Sequence, residues 1–105
     1  MNLLTKRIDT VFVEVNDLDY SINWYSKILG LTLRWNRHGY AAFTVGETSL
    51  TLVQSKDVTP SKHYPFNFFT TNIEDVHKFL LENHVDAEEI ADYDDMKTFD
   101  FKDPN

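Results

Sequence analysis

The sequence predicts an α+β fold built from two βαβββ modules, and three observations support it. The stretch TVFVEV (residues 10–15) alternates apolar and mixed residues, as a half-buried strand does. Asp17 then begins a segment with helical apolar spacing, and Gly30 ends it. The order of strand, capped helix and strands recurs at an offset of about 55 residues, where Asn72 stands in the place of Asp17.

The first module covers about residues 7–54. Its first strand carries three valines on one face and mixed residues on the other. The predicted helix, near residues 18–29, has an apolar stripe formed by Leu18, Ile22, Tyr25, Ile28 and Leu29. Three short strands, LTLRWN, YAAFTV and SLTLVQ, follow it with tight turns between them.

The second module covers about residues 65–105, after a polar linker at 55–64. FNFFTT is its predicted first strand, and VDAEEIA and KTFDF are further strand candidates. Its helix, near 73–83, has an apolar stripe formed by Ile73, Val76, Phe79 and Leu80. We expect this module to lack its last strand. Because units this short cannot bury a helix and a sheet alone, the sequence predicts a single domain over residues 1–105.

Composition excludes several classes of function. The 105 residues contain no cysteine, which rules out thiol catalysis, cysteine-ligated zinc and disulfides and fits the cytoplasm. No apolar run approaches the roughly 20 residues of a membrane span, and we expect no membrane partner. The net charge is −7, and residues 72–105 carry all of the acidic excess. Such a surface repels phosphate backbones, so we expect no nucleic-acid partner.

Two stretches match known sequence patterns: VNDLDYSINWYSKILGL (15–31) is similar to V-x-D-L-x-x-S-x-x-F-Y-x-x-x-L-G-L, and FDFKDPN (99–105) to F-x-D-P-[DN]-G-N. Both patterns resemble those of the vicinal oxygen chelate superfamily, which includes glyoxalase I, bleomycin-resistance proteins, fosfomycin-resistance proteins and extradiol dioxygenases. The resemblance implies curled mixed sheets around a ligand cavity, commonly in a homodimer. It leaves the reaction open, because one fold hosts many functions.

The resemblance also implies where a metal would bind. Enzymes of the family hold a divalent ion with His, Glu or Gln on the cavity face of the first and fourth strands of each module. The matching positions here are Thr10, Thr51 and Pro65, which offer neither imidazole nor carboxylate. The sequence therefore predicts no metal and no other cofactor. A shift in register would leave His63 and Gln54 as alternative ligands.

We expect two strand faces to line the cavity. One is the face of the first strand that is opposite the valines, and the other is the matching face of the predicted first strand of the second module. Arg34 and Trp35 are neighbours on the strand LTLRWN, so only one of them is expected to face inward. Aromatic walls with a few polar groups are typical of small-molecule pockets. The predicted ligand-binding residues are Thr10, Phe12, Glu14, Arg34, Trp35, Asn67 and Phe69.

Three functions remain open. The first is metal-free binding of a small organic molecule, a drug or a metabolite, as in the bleomycin-resistance type. The second is an enzyme of the same superfamily, either a metal-dependent lyase or dioxygenase, or a metal-free one with Glu14 as general base. The third is a dimeric interaction module with a vestigial cavity. In all three the expected protein partner is a second copy of the chain, because half-curled sheets leave open edges.

The charge of the ligand is a separate question. Phe12, Phe69 and Glu14, with the acidic second half, favour a neutral or cationic organic molecule. An inward-facing Arg34 beside Asn67 would instead favour a carboxylate or phosphonate.

Overall fold

The computed structural model describes residues 3–58 and 64–105, and the chain divides into two compact units. The first unit is Met1–Phe66 with Asn105, and the second is Asn67–Pro104. The first contains β1 (Thr10–Val15), α1 (Leu18–Lys27), β2 (Thr32–Arg37), β3 (Tyr40–Val45) and β4 (Thr48–Gln54). The second contains α2 (Ile73–Glu82), β5 (Ala91–Asp92) and β6 (Lys97–Thr98). The predicted α+β class is confirmed.

The first unit is an open four-stranded sheet in the order β1-β4-β3-β2. β1 runs parallel to β4, while the β4–β3 and β3–β2 pairs are antiparallel. The β2–β3 turn places His38 and Gly39 at positive φ (51° and 81°), as a two-residue hairpin loop with a right-handed strand twist requires. In the order β1-β4-β3-β2, the two edge strands of the sheet are β1 and β2.

One face of the sheet packs against α1 and forms the core of the first unit. Val15 and Phe43 have no exposed surface, and the Tyr25 and Phe43 rings lie 6.0 Å apart. The valine face of β1 is the buried face, as the alternation predicts. The cluster consists of Val15, Leu18, Tyr25, Ala41, Phe43, Leu50 and Leu52. Burying each large apolar side chain contributes about 1.5–3 kcal/mol.

Both ends of α1 follow the sequence signals. The Asp17 carboxylate accepts a hydrogen bond from the Tyr20 N–H at 3.1 Å, which satisfies a free donor of the first turn. The helix ends at Lys27, slightly before the predicted boundary. Gly30 has φ +68°, and the Leu31 N–H returns to the Tyr25 carbonyl at 3.2 Å. This closure is the left-handed C-terminal cap that glycine permits.

Two side chains fix the loop between β1 and α1. Gln54, at the end of β4, accepts from the Leu18 N–H at 2.9 Å through Oε1, and its Nε2 donates to the Asn16 carbonyl. Asn105 accepts from the Asn16 N–H at 2.8 Å and donates to the buried Ser21 hydroxyl at 3.3 Å. The start of α1 is thus held by residues distant in the sequence.

The second unit consists of α2 and a short hairpin. Asn72 caps α2 by accepting from the Asp75 N–H at 3.3 Å, and β5 pairs antiparallel with β6. The predicted strand FNFFTT does not form: residues 66–71 lie outside any strand of the described chain. A strand needs a hydrogen-bonding neighbour, and β propensity alone does not supply one.

The apolar stripe of α2 also differs from the prediction. Leu80 is buried, but Phe79 is 46% exposed. His77 takes its place: the ring contacts Phe99 edge to face at 4.8 Å, and Nε2 lies 2.8 Å from the Glu88 carbonyl oxygen. His77 precedes Leu80 by three positions and follows Ile73 by four, so it lies on the same helix face, whereas Phe79 does not.

One ion pair joins α2 to β6 at the surface. The Lys97 ammonium donates to the Glu74 carboxylate at 3.1 Å, which holds the pKa of Glu74 below its usual value and raises the pKa of Lys97. The lowered pKa of Glu74 contributes stability above its ordinary pKa, and this is lost as the pH falls through the folded value. The raised pKa of Lys97 contributes stability that is lost when the pH rises through its folded value. Because both groups are exposed, the contribution is small.

Within the described residues, no helix is both long enough and apolar enough to cross a membrane.

Candidate functional site

The face of the four-stranded sheet opposite α1, called here the front face, carries the first unit's share of the predicted site residues. One row of paired residues crosses all four strands in register. Phe12 on β1 pairs with Thr51, Thr51 with Ala42, and Ala42 with Trp35 on β2. Thr51 and Ala42 are small and buried, while Phe12 is 61% exposed. Since strands lie about 4.8 Å apart, the two aromatic residues are roughly 14 Å apart across a floor of small side chains.

The next row towards the start of β1 consists of hydroxyl residues. Thr10 pairs with Ser49, Ser49 with Thr44, and Thr44 with Thr32. The Thr10 hydroxyl donates to the Asp9 carboxylate at 2.9 Å, and the Ser49 hydroxyl accepts from Arg34. This row gives the front face a set of small hydrogen-bonding groups beside the aromatic row.

The third row has opposite charges at its two ends. Glu14 on β1 pairs with Val53, Val53 with Tyr40, and Tyr40 with Arg37 on β2. The guanidinium of Arg37 lies over the Trp35 ring, 5.0 Å from its centroid. Glu14 is exposed, and its role as a general base stays a prediction.

Both Arg34 and Trp35 lie on the front face, whereas strict alternation predicts that only one of them does. The register between β2 and β3 shifts between Leu33 and Trp35, so the strand holds one extra residue. Such a β-bulge interrupts the alternation of side chains. Trp35 pairs with Ala42 of the aromatic row, and Arg34 Nη1 donates to the Ser49 hydroxyl at 2.7 Å.

The β2 edge of the front face is therefore basic. Among the described residues the ion pairs join Arg7 to Asp9, Lys97 to Glu74 and Lys102 to Asp86. Within the same part of the chain, neither Arg34 nor Arg37 has a carboxylate partner. Glu14 does not neutralise Arg34, because it stands on the opposite edge strand.

The residues at the family's metal-ligand positions do not fit a divalent ion. Thr10 and Thr51 offer only hydroxyl oxygens, and Pro65 has no donor atom on its side chain. Gln54 faces α1, and both ends of its amide already bond to the backbone. His63, the other alternative ligand, lies outside the described residues. Across residues 3–58 and 64–105, no three His, Cys, Asp or Glu side chains are grouped as metal ligands would be.

Asn67 and Phe69 belong to the second unit. Both lie in the segment before α2 that has no regular structure, and Phe69 is 89% exposed. They stay predicted ligand-binding residues.

Sequence reasoning missed several front-face residues. Strand pairing between β2, β3 and β4 adds four residues to the rows: Arg37, Tyr40, Ala42 and Ser49. Alternation within each strand could have assigned their face, but only the strand order shows which of them are neighbours.

Comparison with known proteins identifies a family for this arrangement. The family model described as Glyoxalase/Bleomycin resistance protein/Dioxygenase superfamily matches residues 7–105. Among curated proteins, no sequence matches the chain.

Several solved structures have a similar fold. One is an integron cassette protein from the mobile metagenome of the Halifax Harbour sewage outfall, with a TM-score of 0.80 and 23% identity over 95% of this chain and 91% of that chain. A second is the lactoylglutathione lyase from Agrobacterium tumefaciens, with a TM-score of 0.77 and 14% identity over 95% and 87%. A third is the oxidase ChaP-H2, with a TM-score of 0.75 and 20% identity over 97% and 88%. At these identities the likeness concerns the fold.

Proposed function

The chain belongs to the Glyoxalase/Bleomycin resistance protein/Dioxygenase superfamily, and we propose that it is a metal-free member that binds a small organic molecule on its front face. The observation that carries the proposal is the aromatic row. Phe12 and Trp35 stand at its two ends, with the small residues Thr51 and Ala42 between them. Apolar and aromatic walls around a few polar groups are what small-molecule sites commonly offer.

The chemistry of the ligand positions supports the metal-free part of the proposal. A divalent ion bound by nitrogen and oxygen ligands needs imidazole or carboxylate groups. The family positions hold Thr10, Thr51 and Pro65, and the amide of Gln54 is engaged with the start of α1. Thr10→His alone would leave the other positions without ligands.

A metal-dependent lyase or dioxygenase is the alternative. Its support is that one similar structure is a lactoylglutathione lyase and another is an oxidase. Binding of a small organic molecule only in the presence of a divalent ion would favour this alternative.

A thermal-shift screen distinguishes the two functions. We expect planar aromatic compounds to stabilise protein dialysed against EDTA, since a ligand that binds only the folded state raises the melting temperature. Adding Mn²⁺, Ni²⁺ or Zn²⁺ should leave these shifts unchanged. A compound that stabilises the protein only after a divalent ion is added would contradict the proposal.

Two variants locate the binding. Phe12→Ala should weaken the binding of a hit by about two- to tenfold, because it removes one aromatic contact. Tyr20→Ala, which removes an exposed aromatic side chain from α1 on the opposite face of the sheet, is the matched control and should not change the affinity. If the two substitutions change the affinity equally, the compound does not bind at the front face.

We also propose that the protein is a cytoplasmic homodimer. β1 and β2 are open edges of the sheet, and Leu3, Leu4 and Ile8 before β1 are exposed. Light scattering at micromolar concentration should give twice the 12.3 kDa chain mass, and a 12.3 kDa species alone would refute the dimer.

A further inference from the structure

We propose that the molecule bound on the front face is a planar aromatic anion, held by Arg34 and Arg37 at the β2 edge. The inference rests on the proposed function, because it concerns the same face and adds the chemical class of the ligand. An aromatic carboxylate is the simplest member of that class. Its ring would meet the aromatic row, and its carboxylate would meet the two guanidinium groups.

The two arginines are available to an anion. Both are exposed, and within the described residues neither forms an ion pair. In the same part of the chain, the partner of Arg34 is the Ser49 hydroxyl and that of Arg37 is the Trp35 ring. A guanidinium has five N–H donors in a planar fork that matches a carboxylate, so most donors of Arg34 remain for a ligand.

The arginines are also oriented in advance. The bulge in β2 brings Arg34 and Trp35 to the same face, and the 2.7 Å bond to Ser49 restricts the Arg34 side chain. Arg37 is held by its position 5.0 Å above the Trp35 ring centroid. Because less side-chain freedom is lost on binding, such groups give more affinity than free surface arginines do.

Within the described residues, two acidic groups lie beside front-face residues, and neither pairs with the two arginines of the β2 edge. The Asp9 carboxylate, which accepts from Thr10, forms an ion pair with Arg7. Glu14 and Arg37 end the same row on opposite edge strands, roughly 14 Å apart at the strand spacing. The Debye length is about 8 Å at physiological ionic strength. At that separation the charge of Glu14 is largely screened from the two arginines.

The hydroxyl row supplies neutral donors beside the guanidinium groups. Ser49, which accepts from Arg34, is paired with Thr10 on one side and with Thr44 on the other. A hydroxyl has one O–H to donate, and that of Thr10 is bonded to Asp9, so of these three Ser49 and Thr44 can donate to a carboxylate. The aromatic row and the hydroxyl row together suit a molecule with one flat apolar part and one anionic end.

Three probes with one ring and different charges test the inference. They are 1-naphthoate, neutral 1-naphthamide and cationic 1-naphthylmethylammonium, each titrated calorimetrically and followed by NMR of the tryptophan indole N–H groups. The chain has two tryptophans, and Trp35→Phe assigns the Trp35 signal. We expect every probe that binds this face to shift the Trp35 indole signal. Naphthoate should bind at least about tenfold more tightly than the other two probes.

Arginine substitutions complete the test. Arg34→Gln and Arg37→Gln should each weaken naphthoate binding by about tenfold, as expected for the loss of a charge-assisted hydrogen bond. Lys27→Gln is the control, because it removes one positive charge from α1, on the opposite face of the sheet. It should leave the affinity unchanged. Naphthoate binding that neither arginine substitution weakens would overturn the inference.

The outcomes separate the two proposals. If the amide or the ammonium probe binds as tightly as naphthoate and shifts the Trp35 signal, the front face binds small molecules but the anion inference is wrong. If none of the three probes shifts the Trp35 signal at millimolar concentration, both proposals fail.

Discussion

Replacing Phe43 by alanine is expected to lower the free energy of unfolding by about 3–5 kcal/mol. Phe43 has no exposed surface, lies at the centre of the sheet on β3 and packs against Tyr25 of α1. The substitution removes the buried ring and leaves a cavity between the sheet and the helix, and a close-packed core closes such a cavity only in part. Urea denaturation followed by circular dichroism measures the loss.

Phe12→Ala is the matched control, because it makes the same substitution on the other face of the same sheet. Phe12 is 61% exposed, so its replacement should change the free energy of unfolding by less than about 1 kcal/mol. The two variants therefore separate the face that stabilises the fold from the face proposed to bind a ligand. Equal losses of stability would mean that the front face is part of the core.

The second large effect is expected at Gln54. Gln54→Ala removes the acceptor of the Leu18 N–H and the donor to the Asn16 carbonyl, so the start of α1 loses its tie to β4. We expect a loss of about 1–3 kcal/mol in the free energy of unfolding, because backbone groups at the helix start lose their partners. Thermal and urea denaturation both measure it.

Gln54→Glu is the informative control. The carboxylate keeps an oxygen for the Leu18 N–H but no donor for the Asn16 carbonyl, so a smaller loss than that of Gln54→Ala is expected. If both variants match the wild type in stability, the amide does not anchor the loop. In that case the Gln54 amide would also be free to act as a metal ligand.

The elements that the sequence predicted well are those whose signals are local. The valine alternation of β1 predicts the buried face, and Asp17 and Asn72, the predicted helix caps, accept the hydrogen bonds expected of such caps. Each signal depends on side-chain chemistry within a few residues. The predicted strand at FNFFTT failed because a strand depends on a partner elsewhere in the chain.

The site was predictable only in part for the same reason. Alternation placed Phe12 and Glu14 on the face opposite the valines, and the register agrees. It could not give both Arg34 and Trp35 the same face, because a bulge changes the side-chain period without a local signature. From the sequence, Glu14 is therefore the better-placed charge and favours a cationic ligand, whereas the structure brings a second arginine, Arg37, beside Trp35.

The most direct test of metal-free binding on the front face is an NMR titration of isotopically labelled protein in EDTA. The titrants are 1-naphthoate and 1-naphthamide, so the result does not depend on ligand charge. We predict that the largest backbone amide shifts follow the aromatic row, at Phe12, Thr51, Ala42 and Trp35. Shifts confined to α1 or to the second unit, or shifts that appear only after a divalent ion is added, would contradict it.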